Sequence, residues 1–95
     1  MQINLKFIVV EGADEAFGKT EFAFELEGNN AGDLIRELMK KFGEPSERVF
    51  LTDGHYENNL QIIVNWRKYV PPELMDEFQL QEGDNIIFTH LVEGG

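Results

Sequence analysis

The chain has 95 residues, 42% of them hydrophobic, which fits a single domain over 1–95 and leaves little for a second. Eighteen acidic side chains against eight basic ones give a formal charge of −10, a surface that phosphate backbones repel, so no nucleic-acid partner is expected. With no cysteine, disulfide staples, thiolate metal sites and thiol nucleophiles are excluded together, and a reducing cytoplasmic setting is expected.

The opening "MQINLKFIVV" reads as a strand in which Ile3, Leu5, Phe7 and Val9 share one face; it has neither a basic n-region nor a small-residue cleavage site. No apolar run approaches the roughly 20 residues of a membrane span, so no membrane partner is expected. "EGADEAFGK" reads as a loop. "TEFAFELEG" alternates again, with Phe22, Phe24 and Leu26 on one side, and the two strands are expected to form a hairpin.

The helical signal is strongest in "NNAGDLIRELMKKFG". Asn30 is placed to cap it, with Asp33 three residues on, and Leu34, Ile35, Leu38, Met39 and Phe42 form one apolar stripe. Lys40 and Lys41 suit the negative end of the helix dipole, and Gly43 followed by Pro45 ends the helix. "GEPSER" then reads as a turn and Val49 to Leu51 as a short strand before an exposed loop. "LQIIVNWRKYV" predicts a strand with Leu60, Ile62 and Val64 inward, a tight turn and a second short strand. "PPELMDEFQL" reads as a loop with one helical turn, because Pro71 and Pro72 bar a strand interior. "IIFTHLV" is the last strand, with Ile86 and Phe88 facing in and Ile87 and Thr89 facing out. The order β-β-α-β-β-β gives an α+β class, a small sheet with one main helix packed on one face and the other face open to water or a partner.

Catalytic chemistry has few footholds. Ser46 is the only serine and sits in the turn segment. Asp53, His55 and Glu57 fall close together in "TDGHYE", but an exposed loop lacks a further ligand from a helix or strand, so no metal is expected. "EGADEAFG" lacks the spacing and the lysine of a phosphate loop. His90 reads as a surface histidine, or as one that positions the tail. The pattern is that of a protein acted upon, not an enzyme, with no bound cofactor.

Three segments together resemble the ubiquitin-like sulfur carriers of the β-grasp fold, which include the small subunit of molybdopterin synthase and the thiamine-pathway carrier. "AGDLIRELMKKFG" is similar to that family's helix, "IIVNWRKYV" to its "VNG" strand-turn-strand, and "LQEGDNIIFTHLVEGG" to its ending in a terminal Gly-Gly. Trp66 stands where the turn glycine of "VNG" would be, and because a bulky residue tolerates positive φ poorly, a turn of another type is expected.

The resemblance implies a β-grasp domain with 93–95 as a mobile tail and the reactive group at the Gly95 carboxylate. An E1-like adenylyltransferase would use ATP to adenylate Gly95, a sulfur donor protein would convert it to a thiocarboxylate, and an acceptor enzyme such as the large subunit of molybdopterin synthase would take the sulfur. Gly94 and Gly95 lack side chains and so suit a narrow channel. Leu91 and Val92 would anchor the tail on a partner or pack as a strand end. Phe7, Ile63, Ile87 and Thr89 are the candidates for docking on the sheet face away from the helix. Three readings stand: a sulfur carrier for molybdenum or tungsten cofactor synthesis, or for thiamine, cysteine or tRNA thiolation; a modifier joined to lysines through Gly95; and an interaction domain without the tail chemistry.

Overall fold

The computed structural model describes residues 1–90. Five strands form a mixed sheet: β1 (Gln2–Ile8), β2 (Glu21–Glu25), β5 (Leu60–Val64), β6 (Lys68–Val70) and β7 (Asn85–His90), in the order β2-β1-β7-β5-β6. Among these five strands only β1 and β7 pair in parallel. The first and last strands therefore lie side by side at the centre, and the expected β1–β2 hairpin is present.

Period-two alternation places Ile3, Leu5 and Phe7 of β1 beside Ile86 and Phe88 of β7 and Leu60, Ile62 and Val64 of β5, all buried on one face. Against it packs α2 (Ala31–Phe42), burying Leu34, Ile35 and Leu38. The helix begins where its local chemistry directs. Asn30 accepts from the Asp33 backbone N–H at 2.7 Å, and the Asp33 carboxylate accepts in turn from the Asn29 N–H at 3.1 Å. Glu37 reaches back to the backbone N–H groups of Glu27 and Gly28 at 2.8 and 2.7 Å. Gly28 has no freedom to be anything larger, because a Cβ there would lie 2.6 Å from the Asp33 Cβ.

The Asn29 N–H and the Arg36 guanidinium together hold the Asp33 carboxyl below its ordinary value of 3.8. A lowered folded value means the carboxylate contributes stability above the unfolded value, and that contribution is lost as pH falls from there through the folded one. The urea midpoint of the native chain should therefore exceed that of Asp33→Asn by a constant margin near neutrality, and the margin should close on acidification below about pH 4.

Two helices interrupt the expected order. The segment read as a loop contains α1 (Ala13–Phe17), closed at both ends by left-handed glycines, Gly12 and Gly18. The segment read as a turn and short strand is α3 (Glu44–Phe50). Gly43 and Pro45 do end α2, but the same pair opens α3, since proline suits a helix's first turn as well as the space after a helix. Ser46, expected in a turn, is instead buried in the first turn of α3, where its hydroxyl donates to the Gly43 carbonyl at 2.6 Å.

An aromatic cluster holds both short helices. Phe17 of α1 stacks on Phe7 at 4.7 Å between centroids, and Phe50 of α3 lies 5.4 Å from Phe88. After α3 come β3 (Leu51–Thr52) and β4 (His55–Tyr56), a separate two-stranded hairpin, so the strand expected at Val49 begins only at Leu51. A 3₁₀ turn at Pro72–Leu74 supplies the expected helical turn. The segment after it closes over α2, where the Met75 and Phe78 carbonyls accept from Gly32 and Ala31 at 3.0 Å each.

Val9 is the other correction. It is 70% exposed with φ +52, while Val10 turns into the core. The strand's alternation stops at Ile8, and one left-handed residue shifts the phase of the residues after it. Among the described residues no helix is long and apolar enough to cross a membrane.

Candidate functional site

The central position of β7 determines where the last five residues attach. Thr89 pairs with Ile8 on one side and Gln61 on the other, and His90 pairs with Leu60. The chain thus reaches residue 90 in the middle of the sheet, flanked by strands on both sides. The tail residues singled out from sequence, Leu91, Val92, Gly94 and Gly95, lie outside the described residues.

Around that point Glu11, Gly12, Arg48, Glu57, Asn59 and His90 line a hollow of about 290 Å³. The His90 Nε2 lies 3.4 Å from the Val49 carbonyl oxygen. Glu57 accepts from the Thr52 hydroxyl. Among the described residues no three His, Asp or Glu side chains are gathered in a way that would hold a metal ion.

The outer face of the sheet is assembled by register. Ile87 is opposite Lys6 of β1 and Ile63 of β5, Ile63 is opposite Tyr69 of β6, and Thr89 lies one pleat further toward the chain end. Ile63, Ile87 and Thr89 therefore share the face turned away from α2, as the alternation predicted. Ile87 is nonetheless only 2% exposed, whereas Ile63 and Thr89 are partly accessible.

Phe7 does not belong with them. Its register partner on β7 is Phe88, an inward residue, and its ring stacks on Phe88 at 4.9 Å and is 5% exposed. A residue beside an inward position in a parallel pair faces inward too, so Phe7 is core and not a docking residue.

The three central strands present little charge on this outer face. β1 offers Gln2, Asn4, Lys6 and Ile8, β7 offers Asn85, Ile87 and Thr89, and β5 offers Gln61 and Ile63, so Lys6 is the only ionised group among them. On a chain with 18 carboxylate side chains this is a marked local depletion, and depletion of charge is the compositional mark of an interface centre. The acids Glu21 and Glu25 stand on the edge strand β2, where they also discourage edge-to-edge pairing.

The β5–β6 turn closes this face at one end. The Arg67 N–H donates to the Val64 carbonyl at 3.1 Å, and both central residues are left-handed, Asn65 at φ +54 and Trp66 at φ +59. These are the signs a type I′ turn demands, so the expectation of another turn type is overturned. Asn65 imposes the geometry. Its Nδ2 donates to the Asp84 carboxylate at 3.0 Å, its Oδ1 accepts from the Asn85 N–H at 2.9 Å, and its own N–H donates to the Asn85 carbonyl at 2.7 Å. Trp66 is carried along at a cost of about 1–2 kcal/mol for a left-handed non-glycine residue. It is 62% exposed, with Tyr69 at 48%. Sequence reasoning marks Trp66 only as a missing glycine; the signal that could have singled it out is a large aromatic in a turn, where burial cannot explain it.

Neither a family model nor a curated protein matches the sequence. Solved structures do match over essentially the whole chain. SAMP1 from Haloferax volcanii, a small archaeal modifier protein, superposes with a TM-score of 0.72 at 19% identity, covering 100% of both chains. A candidate molybdopterin converting factor subunit 1 from Pyrococcus furiosus gives 0.68 at 24% identity, covering 97% of this chain and 99% of that one. The Amycolatopsis orientalis BexX/CysO complex gives 0.69 at 15% identity, covering 98% and 99%. The chain has the β-grasp, ubiquitin-like fold that these structures share.

Proposed function

We propose that this chain is a ubiquitin-like carrier whose Gly95 carboxylate is activated by an E1-like adenylyltransferase and then bears sulfur as a thiocarboxylate. The observation that carries the reading is the position of β7: it brings the chain to residue 90 in the centre of the sheet, beside a charge-poor outer face, and the sequence beyond it ends Gly94–Gly95. A face suited to docking and a chain end without side chains are what a protein needs to be held by one surface and modified at another. Similarity to folds named as modifiers and as a molybdopterin converting factor subunit supports the class.

The chemistry balances without a catalytic group from this chain. A carboxylate oxygen of Gly95 attacks the α-phosphorus of ATP, and pyrophosphate leaves. Sulfide attacks the acyl carbon and AMP leaves, giving the thiocarboxylate. With a persulfide donor the terminal sulfur attacks, and a second thiol then cleaves the acyl disulfide at the donor's sulfur, releasing the same product. ATP is bound by the activating enzyme, and the acceptor is an enzyme such as the large subunit of a molybdopterin synthase, in a cytoplasmic setting.

A second reading is a protein modifier, favoured by the likeness to SAMP1, in which Gly95 forms an isopeptide bond with a lysine. Intact-mass measurement of the chain isolated from its own cells separates the two. A gain equal to one oxygen-for-sulfur exchange at the C-terminus is the expected result, and lysine-containing adducts on Gly95 would favour the modifier. A tail that accepts no AMP from the E1-like enzyme would sink both.

A further inference from the structure

Where β1 ends, the chain uses one left-handed residue, and the residue placed there is a poor fit for that conformation. Val9 has φ +52, the step that turns Val10 into the core once the alternation stops at Ile8. Glycine adopts such a conformation without strain and asparagine at little cost, whereas a β-branched residue there is an outlier. The valine gains little packing in exchange, since it is 70% exposed. Strain of this kind persists where a side chain serves another molecule.

The sheet register says what lies beside it. β1 and β7 are parallel with Ile8 opposite Thr89, so Val9 is one step past the last paired residue of β1, beside the point where β7 reaches His90. Glu11 and Gly12, the next exposed and half-buried residues of the same loop, share a hollow with His90. The loop after β1 and the departure of the last five residues therefore occupy one corner of the domain. Five extended residues reach at most about 17 Å, so a Gly95 carboxylate undergoing adenylation lies within about 17 Å of His90. An interface of ordinary size, about 800 Å² on each partner, is roughly 30 Å across. An active site also lies at the bottom of a cleft, and its rim comes closer to the domain than the reacting atoms do. An enzyme that takes in this tail thus covers the corner from which the tail departs.

We propose that Val9 is a docking contact for the activating enzyme: its isopropyl group packs against an apolar side chain on the rim of the cleft that receives the tail. The contact deepens the proposed activation of Gly95 and rests on it. Valine suits the task because its branched side chain has a single torsion with few rotamers, so little freedom is lost when it is clamped. Ile63 and Thr89 offer contacts across the outer sheet face, and Val9 adds one where the tail leaves the domain.

The chain has no cysteine, so Val9→Cys carries a single thiol at the proposed contact. The probe is the E1-like adenylyltransferase encoded in the same genome, with ATP. Saturating enzyme should slow alkylation of that thiol by iodoacetamide, read as the mass gain of the carrier, by about 10-fold or more. Val9→Asn keeps a residue that accepts positive φ and removes the apolar contact. Its urea midpoint should be no lower than the native one, and its adenylation rate at saturation should be unchanged. It should need about 5- to 20-fold more carrier to half-saturate the enzyme. A merely structural valine would move the midpoint and leave half-saturation alone. If the native chain is adenylated but Val9→Asn half-saturates as before, or the thiol is alkylated equally fast with and without enzyme, the contact is overturned and activation at Gly95 stands. If the native chain is not adenylated at all, the activation reading falls and the contact falls with it.

Discussion

Phe7→Ala is expected to lower the unfolding free energy by about 3–5 kcal/mol, the usual loss when a fully packed phenylalanine is truncated. Phe7 stacks on Phe17 at 4.7 Å and on Phe88 at 4.9 Å, and Phe22 and Phe50 lie within 6.3 Å. Removing it deletes the ring that joins α1 to the centre of the sheet. Total stabilities of small domains run to about 5–15 kcal/mol, so the variant would sit near the edge of folding. Urea unfolding gives the free energy, and amide exchange adds a spatial signature. Protection in α1, whose Phe17 loses its stacking partner, should fall before protection in α2, which is capped by its own side chains. If the urea midpoint does not move, Phe7 faces solvent after all and the register of β1 against β7 is wrong.

The same ring explains which parts of the fold could be seen in the sequence. The start and end of α2 are local chemistry: Asn30, Asp33 and Gly43 act on backbone groups within four residues of themselves, and the sequence spacing is enough to find them. α1 and α3 have 5 and 7 residues, too short for a periodic pattern to stand out, and each is stabilised by an aromatic ring that lands on a distant strand. Nothing within either segment announces that contact.

The docking face divides along the same line. Ile63, Ile87 and Thr89 follow from alternation within a strand, whereas the inward orientation of Phe7 also follows from its parallel register with Phe88, a pairing between residues at opposite ends of the chain. Trp66 is hidden for a different reason. A tryptophan's own preference argues against positive φ, but the turn is held by Asn65 through Asp84 and Asn85, and these groups overrule the preference of their neighbour.

Deleting Gly94 and Gly95 is expected to abolish adenylation while leaving the domain as stable as before. Among the described residues the hydrophobic core is made by residues from Ile3 to Phe88, and β7 is paired with β1 through Thr89 and with β5 through His90. The thermal midpoint of the truncated chain should therefore match that of the native one, within the roughly ±0.5 kcal/mol typical of changes away from packed positions. Its affinity for the activating enzyme should also fall only modestly, since Ile63 and Thr89 remain on the outer face. On the proposed activation at Gly95, what disappears is the acyl group to be adenylated: the new terminus would be Glu93, two residues short and carrying a charged side chain where the proposed channel would admit backbone alone. Pyrophosphate release with the purified enzyme measures the loss, and competition by the truncated chain against the native one measures the retained docking. Competition without turnover is the combination that the carrier reading requires. Turnover of the truncated chain at the native rate would remove Gly95 from the mechanism, and failure to compete would remove the sheet face from the interface.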